Sequence, residues 1–132
     1  MVKLLGSPLA KDCMSYTSIT LPWPPTANTY WRRNGSRYFI SQKGMAYRRI
    51  VMDECLTIKN KFGADKRIRM EVVAYPPDKR RRDLDNLGKS LLDSLQHAGL
   101  YQDDSQIDYL SFERMPELLG KVIVYIYLNK SA

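Results

Sequence analysis

The chain has few of the residues that serve many catalytic and structural chemistries. It contains one histidine, His97, and two cysteines, Cys13 and Cys55, with no C-x-x-C pair. Nothing therefore signals a zinc site, and two isolated thiols fit a reducing compartment. A Ser/His/Asp triad and a phosphate-binding glycine loop are also missing, so we expect no small-molecule cofactor. His97 is expected near the end of a helix, in a structural role.

Long apolar runs are also missing. No stretch of about 18 apolar residues occurs, so we expect no membrane-spanning segment. Residues 1–15 lack the long apolar centre of a signal peptide. A cytoplasmic location is expected by elimination.

Charge of one sign dominates instead. The chain has 132 residues, with 21 Lys+Arg against 14 Asp+Glu and a net charge of +7. This excess fits a nucleic-acid partner, although a merely soluble basic protein is the alternative. With 44% hydrophobic residues, the chain can bury a core in one domain without disulfides or structural zinc.

Hydrophobic periodicity predicts an α+β fold. In chain order we expect a strand at 16–21, a hairpin around Asn34-Gly35, a helix at 41–60, a strand at 67–75, a helix at 85–98, and strands at 106–114 and 121–128. These elements predict a small mixed or antiparallel sheet with two main helices in a single domain at 16–132. Residues 1–15 are expected to form a partly disordered N-terminal extension.

Two aspartates, Asp83 and Asp85, directly follow the cationic run 79–82. In an extended or turn segment alternate side chains point the same way, so both carboxylates can face one point. Asp85 also stands where a helix is predicted to begin, and capping that helix is its alternative role.

A second acidic pair, Asp103-Asp104, follows the second predicted helix in a short loop. If that helix leads back along the sheet, one of the pair could complete a three-carboxylate cluster with Asp83 and Asp85. Acidic residues in loops are usually solvated, so the pattern alone leaves the membership of the cluster open.

Converging carboxylates would require a cation. Two of them about 4 Å apart repel by about 4 kcal/mol at an effective dielectric constant of 20. Oxygen ligands without histidine or cysteine favour Mg²⁺ or Mn²⁺. Such an ion lowers the pKa of bound water and neutralises charge on a phosphate under attack. A nuclease is a coherent interpretation, because carboxylates give no advantage to a protein that only grips phosphates.

Lys89 lies one helical turn after Asp85 and can share its face. An ion pair between them is one interpretation. The other is a cation over the scissile phosphate, or a proton donor to the leaving oxygen. Asp93, one turn further on, either orients Lys89 or is an ordinary surface acid.

Arginines and aromatic residues are interleaved in two parts of the chain. The candidate DNA-binding residues are Lys79, Arg80, Arg81, Arg82, Arg32, Arg33 and Arg37. The nearby aromatic residues are Trp23, Tyr30, Trp31, Tyr38 and Phe39. Such interleaving suits unpaired or distorted nucleic acid, whose bases can stack. Most charge runs are solvated faces and most single aromatics pack in cores, so we expect at least one of these rings to be exposed.

Three segments match a known family pattern. They are residues 19–25 with Asn28 and Tyr30, residues 78–87 with Lys89, and residues 98–99 with 103–106. The R-R-D-L-D-N core, the D-D pair at this interval and the Pro-Trp-Pro-Pro element are the most specific parts. The chain from about residue 16 onward thus resembles the RusA family of Holliday junction resolvases.

The resemblance implies an intertwined homodimer that binds four-way junction DNA and nicks two strands symmetrically with Mg²⁺. It places the three essential aspartates, which are catalytic and hold the metal, on Asp83, Asp85 and Asp104. It places the essential lysine on Lys89 and leaves Asp103 as a neighbour. Gly88 departs from the bulkier residues common in the family.

The first hypothesis is therefore an Mg²⁺-dependent, structure-selective endodeoxyribonuclease of recombination and repair, with Mn²⁺ as a substitute ion. A second hypothesis is a junction- or DNA-binding module that has lost catalysis. A third is a metal-dependent nuclease that acts on other branched DNA or on RNA. Paired nicks in a four-way junction distinguish the first from the other two.

Overall fold

The computed structural model describes residues 15–59 and 61–130. The predicted N-terminal extension thus lies outside the described residues except for its last position, and Cys13 lies outside them as well. The elements in chain order are β1 (Thr17–Pro22), α1 (Ala27–Tyr30), β2 (Trp31–Asn34), β3 (Arg37–Ile40), α2 (Gln42–Cys55), β4 (Ile68–Tyr75), α3 (Asp85–His97), β5 (Ile107–Arg114) and β6 (Lys121–Leu128). A 3-10 turn, Asp104–Gln106, precedes β5.

The predicted α+β class is confirmed, with two differences. The strands form two sheets, because β2 and β3 pair only with each other and lie apart from the four-stranded sheet. A one-turn helix, α1, follows the proline-rich segment and is capped by Thr26, whose hydroxyl accepts a hydrogen bond from the amide of Thr29. A single turn is too short to show a helical period, so the sequence pattern did not reveal it.

The main sheet has the strand order β1-β6-β4-β5. The β1/β6 and β6/β4 pairs are antiparallel, whereas β4 and β5 are parallel, with Ile68 opposite Ile107. A parallel pair needs a crossover connection, and here the connection contains α3. The sheet is therefore mixed, and the helix that carries the predicted catalytic residues runs back along it.

Helices α2 and α3 cover one face of this sheet. Leu91 and Leu95 of α3 are completely buried, as are Val51 of α2 and Met70 of β4. The helical spacing of three and four residues places the leucines on one stripe, which explains why α3 packs against the strands. The central strands β4 and β6 are buried on both faces. The apolar residues on both faces of β6 predict this, whereas the alternation of β4, with Arg69 and Glu71 on one side, does not.

The ends of the two long helices differ from each other. Ser41 caps α2 by accepting a hydrogen bond from the amide of Gly44 at 3.0 Å, as predicted, and α2 ends at Cys55 rather than near residue 60. The predicted capping role of Asp85 is wrong: Leu84 is the N-cap and makes no side-chain cap, and Asp85 is the first helical residue. The carboxylate of Asp85 is therefore available for another role.

Candidate active site

A groove of about 690 Å³ runs beside α3. The residues that line it and matter below are Trp31, Asp85, Gly88, Lys89, Asp93, Asp104 and Phe112. We call it the α3 groove. Three of the four predicted catalytic residues, Asp85, Lys89 and Asp104, thus share one solvent-accessible groove, and all three are exposed.

Asp104 enters the groove from the turn that precedes β5. The hydroxyl of Tyr101 lies 2.8 Å from Asp104 Oδ1 and 2.9 Å from the carbonyl oxygen of Leu92, which places Asp104 beside the middle of α3. Residues 85 and 92 are separated by about 10 Å along a helix axis. The carboxylates of Asp85 and Asp104 thus lie at different heights along the groove. Burial, followed by the nearby charge of Asp104, raises the pKa of the Tyr101 hydroxyl.

Asp83 lies in a different cavity. It lines a space of about 450 Å³ together with Trp23, Arg81, Arg82 and Asn86, among others. The backbone of Leu84 is helical rather than extended (φ −62°, ψ −37°), so alternate side chains do not point the same way here. Asp83 and Asp85 thus line different cavities, although they are only two positions apart in the chain.

The strand topology explains where the second acidic pair lies. Because β4 and β5 are parallel, β5 begins beside the start of β4. Asp83 follows the end of β4, whereas Asp104 precedes the start of β5. Helix α3 leads back along the sheet, and this return places Asp104 beside the middle of α3, in the groove that also contains Asp85.

Among residues 15–59 and 61–130, no three acidic, histidine or cysteine side chains are grouped so as to hold a metal ion. Asp83, Asp85 and Asp104 are thus not grouped around one point in a single chain, and their joint binding of one ion stays a prediction. The donor chemistry still fits Mg²⁺, which one or two carboxylates usually hold together with water and substrate phosphates. Asp85 and Asp104 offer such carboxylates in the groove, and Asp83 offers another beside it.

Lys89 projects from the exposed side of α3. The ion pair predicted as one alternative does not form: within the described ranges, the ammonium of Lys89 pairs with no carboxylate. Gly88 next to it lies inside the helix and packs on the ring of Phe112, because a Cβ there would stand 3.1 Å from Phe112 Cζ. The helical turn that carries Lys89 thus lies close to β5 at the glycine.

Asp103 and Asp104 have different roles. Asp103 caps the 3-10 turn: its carboxylate accepts a hydrogen bond from the amide of Ser105 at 2.9 Å, and the side chain of Gln106 completes a capping box. Hydrogen bonding from Ser105 lowers the pKa of the Asp103 carboxyl. Asp103 is therefore structural, and Asp104 is the member of the pair that faces the α3 groove.

Asp93 neither orients Lys89 nor behaves as an ordinary surface acid. Its carboxylate accepts hydrogen bonds from Arg48, at 2.7 Å, and from the hydroxyl of Tyr30. Burial raises the pKa of Tyr30, and the contact with Asp93 adds to this effect. Asp93, which lines the groove, is thus held to α1 and α2 by hydrogen bonds that the sequence pattern did not reveal.

The predicted DNA-binding run 79–82 divides into two parts. The side chains of Lys79, Arg80 and Arg81 are exposed. Arg82 is only 20% exposed and forms two hydrogen bonds with Asp78, at 2.6 and 3.1 Å. The Arg82 guanidinium holds the pKa of Asp78 well below its usual range. Arg82 thus shapes the loop, and the other three cations face solvent.

The remaining predicted cations lie on the β2–β3 hairpin. Arg32, Arg33 and Arg37 are all exposed. The sequence did not reveal Arg114 as a further basic residue of the site, because it lies apart from the other arginines at the end of β5. Arg114 donates a hydrogen bond to the carbonyl oxygen of Arg82. Together with residues 79–82 it lines a cavity of about 300 Å³. Two basic surfaces therefore flank the acidic residues.

Comparison with known proteins places the chain among nucleases. Residues 22–127 match the family model described as Endodeoxyribonuclease RusA. A crossover junction endodeoxyribonuclease of Enterobacteria phage HK97 is 50% identical over 95 residues, which cover 72% of this chain and 79% of the relative. Those of Shigella sonnei and Escherichia coli K12 are 41% and 40% identical over 111 residues, or 81% of this chain and 89% of each relative. The matched range includes Asp83, Asp85, Lys89 and Asp104.

Proposed function

Because the chain belongs to the RusA family of endodeoxyribonucleases, we propose that it resolves Holliday junctions by Mg²⁺-dependent hydrolysis of two phosphodiester bonds, in recombination and repair. The observation that best supports this proposal is the α3 groove. It brings Lys89, whose ammonium group pairs with no carboxylate among the described residues, together with two exposed carboxylates, Asp85 and Asp104, on a chain of net charge +7. A protein that only bound phosphates would be weakened by those acids.

The side chains of the groove have different roles in this reaction. Asp85 and Asp104, with Asp83 beside them, would hold Mg²⁺ or its substitute Mn²⁺. When bound, the ion supplies an activated water and polarises the phosphate. Lys89 stabilises the charge that develops on the phosphate or on the leaving oxygen. Tyr101 orients Asp104 from beneath, since its buried hydroxyl contacts the carboxylate.

We further propose that the working form is a homodimer. A four-way junction has approximate twofold symmetry, and paired nicks need two identical sites. One chain spreads its carboxylates along α3, so the ligand set of the metal has to be completed by a phosphate of the DNA or by the second protomer. Dimerisation also doubles the positive charge that faces the junction.

The exposed cations would hold the DNA backbone on both sides of the groove. Lys79, Arg80 and Arg81 lie on one side, and Arg32, Arg33 and Arg37 lie on the hairpin. Each phosphate contact releases counterions, so the affinity for the junction should fall steeply with salt. Arg82 supports this surface indirectly by holding the loop through Asp78.

The proposal is tested on a synthetic four-way junction incubated with the protein, with and without Mg²⁺. We expect symmetric nicks in two strands, and only when the metal is present. Asp83→Asn should abolish cutting while binding persists, because the amide cannot replace a charged ligand. Asp65→Asn, a change of the same type at an exposed loop acid outside both cavities, should leave cutting unchanged.

Two outcomes would contradict the proposal. Salt-sensitive binding without cleavage in Mg²⁺ or Mn²⁺ would indicate a binding module. Competition among junction, flap, duplex and RNA substrates that favours another branched substrate or RNA would indicate a nuclease of different selectivity. Unchanged cleavage by Asp83→Asn would remove that residue from the site.

A further inference from the structure

One face of the β2–β3 hairpin continues from the α3 groove. Opposite residues of an antiparallel pair share a face, as do alternate residues along each strand. The register pairs Trp31 with Ile40 and Arg33 with Tyr38, so these four side chains lie on one face. Trp31 also lines the groove that contains Asp85, Lys89 and Asp104. We call this surface the Trp31 face.

The Tyr38 ring of this face does not contribute to the core. Residues 32–39 are all exposed, and Tyr38 is 68% exposed. The ring of Tyr38 is covered by Arg33, whose Cζ lies 5.5 Å from the ring centroid. An isolated two-stranded hairpin is at best marginally stable in water, and an exposed tyrosine at this position adds little to folding. A binding role accounts for the ring better than a structural one.

The base of the hairpin is firmly held. Trp31 packs edge-to-face on Tyr30, with 4.4 Å between the ring centroids. Tyr30 is completely buried, and its hydroxyl contacts Asp93, Ser94 and Arg48. The Trp31 ring is therefore fixed at the edge of the groove before any ligand binds, which lowers the entropic cost of stacking on it.

The charge of the hairpin selects a nucleic acid as the ligand. Residues 31–40 include three arginines, Arg32, Arg33 and Arg37, and no acidic residue. The same hairpin of a second copy carries the same three arginines and would be repelled by this surface. Arginines beside exposed rings bind strands whose bases are unpaired, because every base has a face that can stack.

We propose that the Trp31 face is a stacking platform for unpaired bases of the DNA strand next to the phosphate that is cut. The inference rests on the proposed function and deepens it, since it assigns structure selectivity to Trp31 and Tyr38. A junction offers unpaired or distorted bases at its exchange point, whereas an intact duplex keeps its bases stacked on each other. The platform therefore favours junctions over duplexes without reading a base sequence.

The test uses the fluorescence of Trp31. The chain has two tryptophans, so Trp23→Phe leaves Trp31 as the reporter. This variant is titrated in EDTA with oligothymidine, with a four-way junction and with a plain duplex, so that no cleavage is involved. We expect quenching by oligothymidine and by the junction, and little quenching by the duplex.

Matched variants of the hairpin sharpen the test. Tyr38→Ala should weaken binding of oligothymidine about tenfold, and Tyr38→Phe should restore it. Phe39→Ala is the control, because Phe39 is 50% exposed and neighbours Tyr38 on the opposite face of the same strand. Circular dichroism of each variant checks that the fold is retained.

Three results would overturn the platform. The first is no quenching of Trp31 fluorescence by oligothymidine or the junction, and the second is an equal loss of oligothymidine affinity in Tyr38→Ala and Phe39→Ala. The third is conversion of a dimer into monomers by Tyr38→Ala, measured by light scattering, which would make the face a protein interface. If the wild-type chain cuts no junction while the quenching and the Tyr38/Phe39 contrast persist, the platform stands and the nuclease proposal fails. The two claims are thus separable.

Discussion

Arg48 on α2 donates a hydrogen bond to the carboxylate of Asp93 on α3, with 2.7 Å between the guanidinium nitrogen and the oxygen. The hydroxyl of Tyr30 contacts both residues. The ion pair is half-buried, with 19% and 33% of its side-chain surfaces exposed. The ion pair joins α2 to α3, the helix that carries Lys89. Tyr30 contacts both members of the pair and packs against Trp31 at the base of the hairpin.

Removing Asp93 should destabilise the fold. Asp93→Ala leaves the Arg48 guanidinium and the Tyr30 hydroxyl without their acceptor, so we expect the free energy of unfolding to fall by about 1–3 kcal/mol. Urea denaturation measures this change. A double-mutant cycle with Arg48→Met should show coupling between the two sites. Asp65→Ala, which removes an exposed partner of Lys66 at 3.8 Å, is the control and should change little.

Two buried helical glycines should respond in opposite ways to alanine. At Gly88 the added Cβ meets only the end of the Phe112 ring, at 3.1 Å, and that half-buried ring can shift within the groove. Gly88→Ala should therefore raise the free energy of unfolding by up to about 1 kcal/mol through helix propensity. At Gly44 the Cβ would stand 2.6 Å from the Tyr30 carbonyl oxygen, so Gly44→Ala should lower it by about 1–3 kcal/mol.

Chemical denaturation of the two glycine variants decides this prediction. A loss of stability in Gly88→Ala as large as that in Gly44→Ala would show that Phe112 cannot move. It would also indicate that a bulkier residue at position 88 requires a residue other than Phe112 beside it.

The buried tyrosines should make the fold sensitive to alkali. Burial raises the pKa of Tyr125 to about 12 and also raises the pKa of Tyr30 and Tyr101 above its ordinary value near 10. Between these values the unfolded chain loses protons that the folded chain keeps. Stability is therefore fully present below about pH 10 and falls as the pH rises through the folded values.

Urea midpoints at pH 8, 9.5 and 11 measure that loss. We expect little change between the first two and a clear decrease at pH 11. Tyr101→Phe removes one of the groups and should have a shallower dependence than the wild-type chain. A midpoint that is flat to pH 11 would mean that these hydroxyls ionise alike in both states.

Local patterns account for most of the secondary structure. The alternation at 67–75 corresponds to β4, the leucine spacing corresponds to α3, and Asn34-Gly35 forms the predicted turn, in which Gly35 has φ of 63°. Each of these signals lies within one element. The parallel pairing of β4 and β5 has no such signal, because it depends on how a distant strand returns to the sheet.

The same limit applies to the site. The residue types at Asp83, Asp85, Lys89 and Asp104 indicate metal and phosphate chemistry, yet their spacing cannot show which of them share a groove. The helical backbone at Leu84 separates Asp83 from Asp85, and the parallel return of β5 brings Asp104 beside α3. The contact of Arg48 with Asp93 joins positions 45 residues apart, and no local pattern marks it.

The most direct test of the account is cleavage of a supercoiled plasmid that extrudes a cruciform. Paired nicks across the junction release linear DNA, whereas a single nick leaves an open circle. We predict linear product that requires Mg²⁺, none with Asp104→Asn, and near wild-type amounts with Asp103→Asn, whose parent residue only caps a turn. Linear product from Asp104→Asn, or cutting that continues without a divalent ion, would contradict the account.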